Sequence, residues 1–488
     1  MKILIASSEA VPYAKTGGLA DVAGVLCKEY RKMKKEAYII LPLYKKIKEG
    51  RIPLKDTGIR IKVPVGNRII EGRIFSSQSS AYLIGCDEFF NREELYGTPE
   101  GDYADNASRF IFFSRGILET CKALNLKLNV IHCNDWQTGL VPLYLKTLYS
   151  NDKLFKDTAT LFTIHNLGYQ GLFPSSSMPL TGLGWEFFTP EAIEFYGNVN
   201  FLKAGIIYAD IINTVSNTYA KEILTTEFGF GLDGALRSRA GDIHGVINGI
   251  DYDEWDPTRD KFITANYNPN DISGKFICKK ELMKLLFGLS DNANAERIPL
   301  IGMVGRLSAQ KGLDIVLQSA DELQSFGIKL VILGKGDETF QKSLSETARK
   351  YKGTISVTIG FEDKLAHMIY AGSDFFLMPS RYEPCGLGQL IALRYGSAPI
   401  ARKTGGLADT TQDYNHLLSK GTGFLFSDYT PSAMQDAIKR ALCVYTDKKK
   451  MHELIINGMK MDFSWNQSAT RYIELYNIAR KKRSYNKQ

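Results

Sequence analysis

The sequence predicts an α/β protein made of two doubly wound domains that face each other across a cleft. Three observations carry this expectation. The chain has 488 residues, more than one hydrophobic core usually supports. Short apolar runs alternate with helix-length segments from the first residue, and the pattern restarts near residue 299. The string KTGGLAD occurs at Lys15–Asp21 and again, letter for letter, at Lys403–Asp409.

The first strand is expected at Lys2–Ala6, followed by a helix from about Gly18 to Lys34 with its core stripe at Leu19, Val22, Leu26, Tyr30 and Met33. Further strands are expected at Ala37–Leu41, Val130–Cys133, Ala159–Ile164 and Ile211–Val215. After the restart they fall at Leu300–Val304, Lys329–Leu333, Ile355–Ile359, Phe375–Met378 and Pro399–Ala401, each separated by a helix-length segment. This is the grammar of parallel sheets, whose ligand loops lie at the carboxyl ends of the strands. A boundary near Val246–Asp251 divides the chain into domains 1–246 and 247–464, and residues 465–488 are expected to be helical from Trp465.

Composition narrows the function classes. With 44% hydrophobic and 23% charged residues the chain can bury a proper core and shows no disordered or fibrous bias. The apolar run in MKILIASSEA is shorter than a signal-peptide core, and nothing later approaches the roughly 18 apolar residues of a membrane span, so a cytoplasmic protein is expected. Seven scattered cysteines without a C-x-x-C pair argue against a disulfide framework or a zinc site. The net charge of +8 is spread over short clusters, including the terminal KKRSYNKQ, and reads as a solvated basic surface without a nucleic-acid module. An anionic small molecule remains a possible ligand.

Both KTGGLAD copies sit between a strand and a helix start, where Gly-Gly lets the backbone approach a ligand and the first helical N–H groups can receive an anion. A tight strand-to-helix turn would explain one copy as well, but two identical copies poorly. G-x-G-x-x-G is absent from both places, which removes the main support for a dinucleotide-binding oxidoreductase. Lys15 ahead of the glycines supplies a mobile point charge suited to a pyrophosphate. Arg306 and Lys311 in VGRLSAQKG lie just past a strand end, and two cations on one turn repel unless an anion lies between them. A leaving diphosphate would be such an anion.

In RYEPCGLGQL, Pro384 biases Glu383 toward extended backbone, and Gly386 is expected to begin a helix that can receive phosphate. Glu383 would repel that phosphate and should turn away from it. Cys385 reads as a small buried hydrophobe and not as a nucleophile. His165, after an apolar strand, suits a satisfied core position as well as a catalytic one, and Asp135 suits a helix N-cap as well as active-site support. Asp251-Tyr252-Asp253 formally matches a metal-binding D-x-D, but it follows Asn248-Gly249 at the hinge and not a strand end, so no metal and no cofactor is expected.

Together with both KTGGLAD copies, the segments HCNDWQTGL from His132, TIHNLGYQGLF from Thr163, VINGID from Val246, VGRLSAQKG from Val304 and RYEPCGLGQL from Arg381 resemble the bacterial glycogen synthases of the ADP-glucose-type glycogen and starch synthase family. The resemblance spans most of the chain. It implies two Rossmann-like domains of the GT-B glycosyltransferase type, with the last segment packing back on the first domain.

The resemblance also implies roles. Lys15, with Gly17, Gly18 and Asp21, would bind the sugar nucleotide, and Asn248, Cys385, Gly386, Leu387, Thr404, Gly405 and Gly406 would line the donor site. Glu383 and His165 would hold the donor glucose, with the His165 carbonyl near the anomeric carbon, and Arg306 and Lys311 would stabilise the diphosphate. Asp135 would support the site. Phe361, at a strand end, would stack on the base, although such a ring also suits capping a core. The implied reaction moves glucose from ADP-glucose to the non-reducing 4-hydroxyl of an α-1,4-glucan, glycogen or a maltooligosaccharide, with retention by front-face attack. The sequence departs from the commonest family pattern at Asn134 and Gln137, where many members carry histidine, so neither position is assigned catalysis. The rival readings are a sucrose- or trehalose-phosphate-type synthase and an inert glucan-binding protein on the same fold.

Overall fold

The computed structural model describes residues 1–77, 80–98, 100–289, 296–415, 417–418 and 420–485; the last three residues of the basic terminus KKRSYNKQ lie outside the described residues. The chain folds as two compact units, one comprising Met1–Val215, Ala220–Val246 and Trp465–Gln488, the other Ser216–Tyr219 and Ile247–Ser464.

The strands of the first unit are β1 (Lys2–Ala6), β2 (Glu36–Pro42), β3 (Leu54–Val65), β4 (Arg68–Ser77), β5 (Ala81–Gly85), the hairpin β6 (Gly97–Thr98) and β7 (Gly101–Asp102), β8 (Val130–Asn134), β9 (Ala159–Ile164), the short strands β10 (Leu172–Pro174), β11 (Glu194–Phe195) and β12 (Asn198–Asn200), then β13 (Ile211–Thr214) and β14 (Ile243–Gly245). Nine of them form one sheet in the order β14-β13-β9-β8-β1-β2-β5-β4-β3. Its centre is parallel, and Ile3, Leu4, Ile5 and Ala6 are fully buried, as continuous apolar runs in a doubly covered sheet should be.

The antiparallel edge β3-β4-β5 was not anticipated. Its sequence signal is a period of two: Ile61, Val63 and Val65 turn inward while Arg60 and Lys62 face water. Half-solvated strands of this kind alternate where a search for continuous apolar runs finds nothing.

The helix Gly18–Lys32 buries Leu19, Val22, Leu26 and Tyr30 as expected, but it ends before Lys34, leaving Met33 half-buried at its C-cap. The final helix, Trp465–Tyr485, packs on β9 and on the helix Gly18–Lys32. A buried polar chain fixes it there: Tyr476 Oη lies 2.9 Å from Tyr30 Oη and 2.8 Å from His132 Nδ1, and His132 Nε2 lies 2.5 Å from Thr163 Oγ1. Burial holds the His132 pKa down at about 3, so the ring is neutral.

The second unit holds β15 (Leu300–Val304), β16 (Lys329–Gly334), β17 (Ile355–Ile359), β18 (Phe375–Met378), β19 (Ala398–Arg402) and β20 (Phe424–Phe426) in one sheet, ordered β17-β16-β15-β18-β19-β20 and parallel throughout. Each unit is thus a doubly wound α/β domain, as the sequence pattern predicts. No helix among the described residues is long and apolar enough to cross a membrane.

Candidate active site

In the first unit the loops that follow β1, β8 and β9, three neighbours in the sheet, carry the candidate residues at the strands' carboxyl ends. Asn134 closes β8 and Asp135 follows at φ +56, a conformation that strains any side chain beyond Cβ. Asp135 does not cap the short turn that begins at Trp136. Its Oδ1 instead accepts the His165 backbone N–H at 2.7 Å, so Asp135 stands at the N-cap position without a side-chain capping bond. Burial pushes the Asp135 carboxyl up to about 7.

His165, just past β9, is the converse case, since burial lowers its pKa to about 3 and keeps the imidazole neutral. Its Nε2 lies 2.9 Å from Asn134 Oδ1. The Asn134 amide nitrogen already donates to the Ala6 and His132 carbonyls, so Oδ1 must accept and Nε2 must carry the proton. Nδ1 is left with a lone pair, able to accept from a hydroxyl. Asn134, to which no role had been assigned, therefore sets the histidine tautomer, while Gln137 is buried with an Oε1 that has no hydrogen-bond partner among the described residues.

The first KTGGLAD copy is the open one. Lys15 is exposed and pairs with Asp21 at 2.8 Å, nothing lies near the α-carbon face of Gly17, and Gly18 opens the helix at the surface. The loop's own donors are already engaged. The buried carboxylate of Glu9 accepts from the Thr16 hydroxyl at 2.7 Å, from the Thr16 and Gly17 amides, and from Tyr96 Oη at 2.8 Å. Glu9 thus takes the place an anionic ligand was expected to hold at those amides. Sequence reasoning missed it, although an acidic residue three positions past the apolar strand in MKILIASSEA was a visible anomaly.

The second copy is closed. Gly406 N–H donates to the Glu383 carbonyl at 3.0 Å. A methyl group on Gly405 would lie 1.9 Å from Glu383 O and one on Gly406 2.0 Å from Cys385 O. The close approach that Gly405 and Gly406 permit is therefore to the chain's own RYEPCGLGQL loop. Thr404 is buried before them. Asp409, the counterpart of Asp21, accepts from the Thr218 amide and hydroxyl. Identical heptapeptides thus form an exposed loop in one unit and a mostly buried one in the other.

In the second unit Lys311 and Glu383 meet: Nζ lies 2.5 Å from Oε2, which also accepts from Ser380 Oγ at 3.0 Å. The pair is mostly buried, with side-chain exposures of 19% and 7%. Sequence reasoning assigned Lys311 to phosphate and Glu383 to sugar without seeing that the two side chains are each other's counter-ion. Gly312, at φ +74, makes this possible by passing so close to Pro379 O that no side chain would fit. Arg306 is exposed at the end of β15 and shares a small cavity with Lys311 and Ser380.

Two further expectations change. Gly386 does not begin a helix: it sits at φ +76, and Leu387 caps a helix that starts at Gly388. Strand β17 stops at Ile359, so Phe361 stands beyond it and is 74% exposed, which removes core capping as its role. Cys385 is buried as expected and its thiol is pushed up to about 12 by burial, and Asn248 is buried beside it. At Asp251-Tyr252-Asp253 the Asp253 carboxylate is ion-paired to Arg259 at 3.0 Å. Among the described residues no group of three His, Cys, Asp or Glu side chains could hold a metal ion.

The sequence matches the starch synthase catalytic domain family over residues 2–238 and the glycosyl transferases group 1 family over residues 290–461. It is 48% identical to a glycogen synthase of Syntrophotalea carbinolica over 98% of this chain and 99% of that one, and 45% identical to a glycogen synthase of Thermosipho melanesiensis over 99% and 100%. The fold superposes at a TM-score of 0.89, with 33% identity and coverage of 98% and 99%, on the catalytic domain of starch synthase IV from Arabidopsis thaliana, solved bound to ADP and acarbose. A sucrose-phosphate synthase from Thermosynechococcus elongatus shares the fold alone, at a TM-score of 0.60 and 16% identity. The chain belongs to the glycogen and starch synthase family of glycosyltransferases.

Proposed function

We propose that this glycogen-synthesising glycosyltransferase uses ADP-glucose as donor and retains the α configuration while extending the non-reducing 4-hydroxyl of an α-1,4-glucan. The observation that carries the proposal is the buried Lys311–Glu383 pair with Arg306 beside it, at the carboxyl ends of β15 and β18. Arriving phosphate competes for Lys311, and the displaced Glu383 carboxylate is then directed at the sugar, where it accepts from hydroxyls and stabilises positive charge developing at the anomeric carbon. Arg306 and Lys311 stabilise the departing diphosphate as the C1–O bond breaks. The acceptor oxygen attacks C1 on the same face, and its proton passes to the leaving phosphate oxygen. A glycosidase would retain configuration with two carboxylates about 5 Å apart. The Glu383 carboxylate instead faces a lysine.

In the first unit, the neutral His165 accepts a sugar hydroxyl at Nδ1, held in that tautomer by Asn134, while Asp135 fixes its backbone. Lys15 leaves Asp21 for a donor phosphate oxygen, a modest exchange because that exposed pair contributes little. The ADP in the related starch synthase IV structure supports the choice of donor. Initial rates with ADP-glucose and UDP-glucose, glycogen as acceptor, test the proposal; equal kcat/KM values for the two would remove the donor assignment. Labelled glucose entering neither glycogen nor maltooligosaccharide from either donor would favour the inert glucan-binding reading.

A further inference from the structure

Two tight turns in the first unit break the same local rule. β11 and β12 are joined by Tyr196-Gly197, with φ of +48° and +79°, and Phe230-Gly231 repeats the pattern with φ of +48° and +80°. The second turn is closed by Leu232 N–H donating to Gly229 O at 2.8 Å. Consecutive positive φ values define a mirror-image turn whose first position favours Asn, Asp or Gly. Among the described residues Tyr196 and Phe230 are the only aromatic side chains at positive φ.

The rings these turns carry are not used to fill a core. Tyr196 is 80% exposed and Phe230 40%. The turns lie side by side, since a methyl group on Gly231 would come within 2.9 Å of the Phe195 ring and 3.4 Å of the Tyr196 ring. They are also joined to the catalytic loop. Gln170, five residues past His165, donates to the Phe230 carbonyl at 3.0 Å and accepts from Asn200, at the end of β12, at 2.7 Å. Strain at an aromatic pair fastened to a site is a functional signature, since both rings keep a solvent-facing surface although Tyr196 also packs edge-on against Phe195 at 4.8 Å.

We propose that Tyr196 and Phe230 form an aromatic platform for the acceptor, on which glucose units of an α-1,4-glucan stack. Each pyranose presents a face of C–H groups that an exposed ring covers, while its hydroxyls stay in water, and a chain of identical units suits two neighbouring rings fixed in place. The platform rests on the reading of the acceptor as a glucan, and it adds the residues that hold the chain beyond the reacting sugar.

The turn chemistry supplies the test. Tyr196→Asn introduces the residue that the turn prefers, so its melting temperature should equal or exceed that of the wild type. Its calorimetric Kd for maltoheptaose, and that of Phe230→Asn, should rise at least about fivefold, the scale of one aromatic contact. Tyr196→Phe, which keeps the ring, should bind maltoheptaose like the wild type, and the Kd for ADP should be unchanged in all three. Unchanged maltoheptaose affinity in both Asn variants, or equal loss in Tyr196→Phe and Tyr196→Asn, would overturn the platform. A wild type that binds maltoheptaose but transfers no glucose would instead sink the transfer reading and leave the platform standing.

Discussion

Lys311 Nζ lies 2.5 Å from Glu383 Oε2 at the carboxyl ends of two neighbouring parallel strands, β15 and β18, so the cation proposed for the leaving diphosphate and the carboxylate proposed for the sugar are each other's partner. Glu383→Ala should therefore lower kcat by at least about a hundredfold while leaving the donor Kd within about tenfold, because the freed Lys311 remains available to phosphate. Pre-steady-state turnover and ADP-glucose titration measure the two quantities separately. Most of the turnover surviving would take Glu383 out of the site.

The final helix is held by the Tyr476 hydroxyl, which serves both Tyr30 and His132 in a fully buried position. Tyr476→Phe should destabilise the protein by about 1–3 kcal/mol, since two buried polar groups lose a partner at once. Urea unfolding of the variant checks this, and a midpoint equal to that of the wild type would show that the chain Tyr30–Tyr476–His132–Thr163 contributes nothing.

Much of this was legible in the sequence for physical reasons that can be named. β1, β9, β15 and β18 fall where continuous apolar runs placed them, because strands covered on both faces need no polar alternation. The β3-β4 edge was hidden in an alternating pattern, and β20, three residues long, was too short to signal. In the site, the pairing of Asp135 with His165 and of Lys311 with Glu383 joins residues 30 and 72 positions apart, a matter of strand order that no local motif states. The two KTGGLAD copies are the plainest case. The same seven letters gave one expectation, and only their neighbours, Glu9 for one and the Glu383–Cys385 backbone for the other, make them different.

Asp135 and His165 give opposite pH dependences. The Asp135 carboxyl, raised by burial from 3.8 to about 7, favours the folded state below pH 4, and that contribution is lost as pH rises toward 7. Neutral His165, lowered from 6.5 to about 3, contributes above pH 6.5 and is lost as pH falls toward 3. Asp135→Asn keeps an oxygen for the His165 amide but cannot ionise. Wild type should thus be more stable relative to Asp135→Asn at pH 5 than at pH 7.5 in thermal melts, and a pH-independent difference would contradict the shift.

Phe361 is 74% exposed beyond β17, and its ring is proposed to stack on the base of the donor. A purine gives more stacking area than uracil, and contacts of this kind are worth about 1–3 kcal/mol per base. Phe361→Ala should therefore reduce the ratio of kcat/KM for ADP-glucose to that for UDP-glucose by about tenfold or less, with the larger loss on ADP-glucose. An unchanged ratio would remove Phe361 as the source of donor preference.

The central claim is transfer of glucose with retention from ADP-glucose to the non-reducing end of an α-1,4-glucan, and NMR of the product tests it most directly. Maltoheptaose incubated with the protein and ADP-glucose carbon-13-labelled in its sugar should gain labelled units whose anomeric signals are those of α-1,4 linkages, with ADP released in equal amount. A β-linked product, or label recovered only as free glucose, would contradict it.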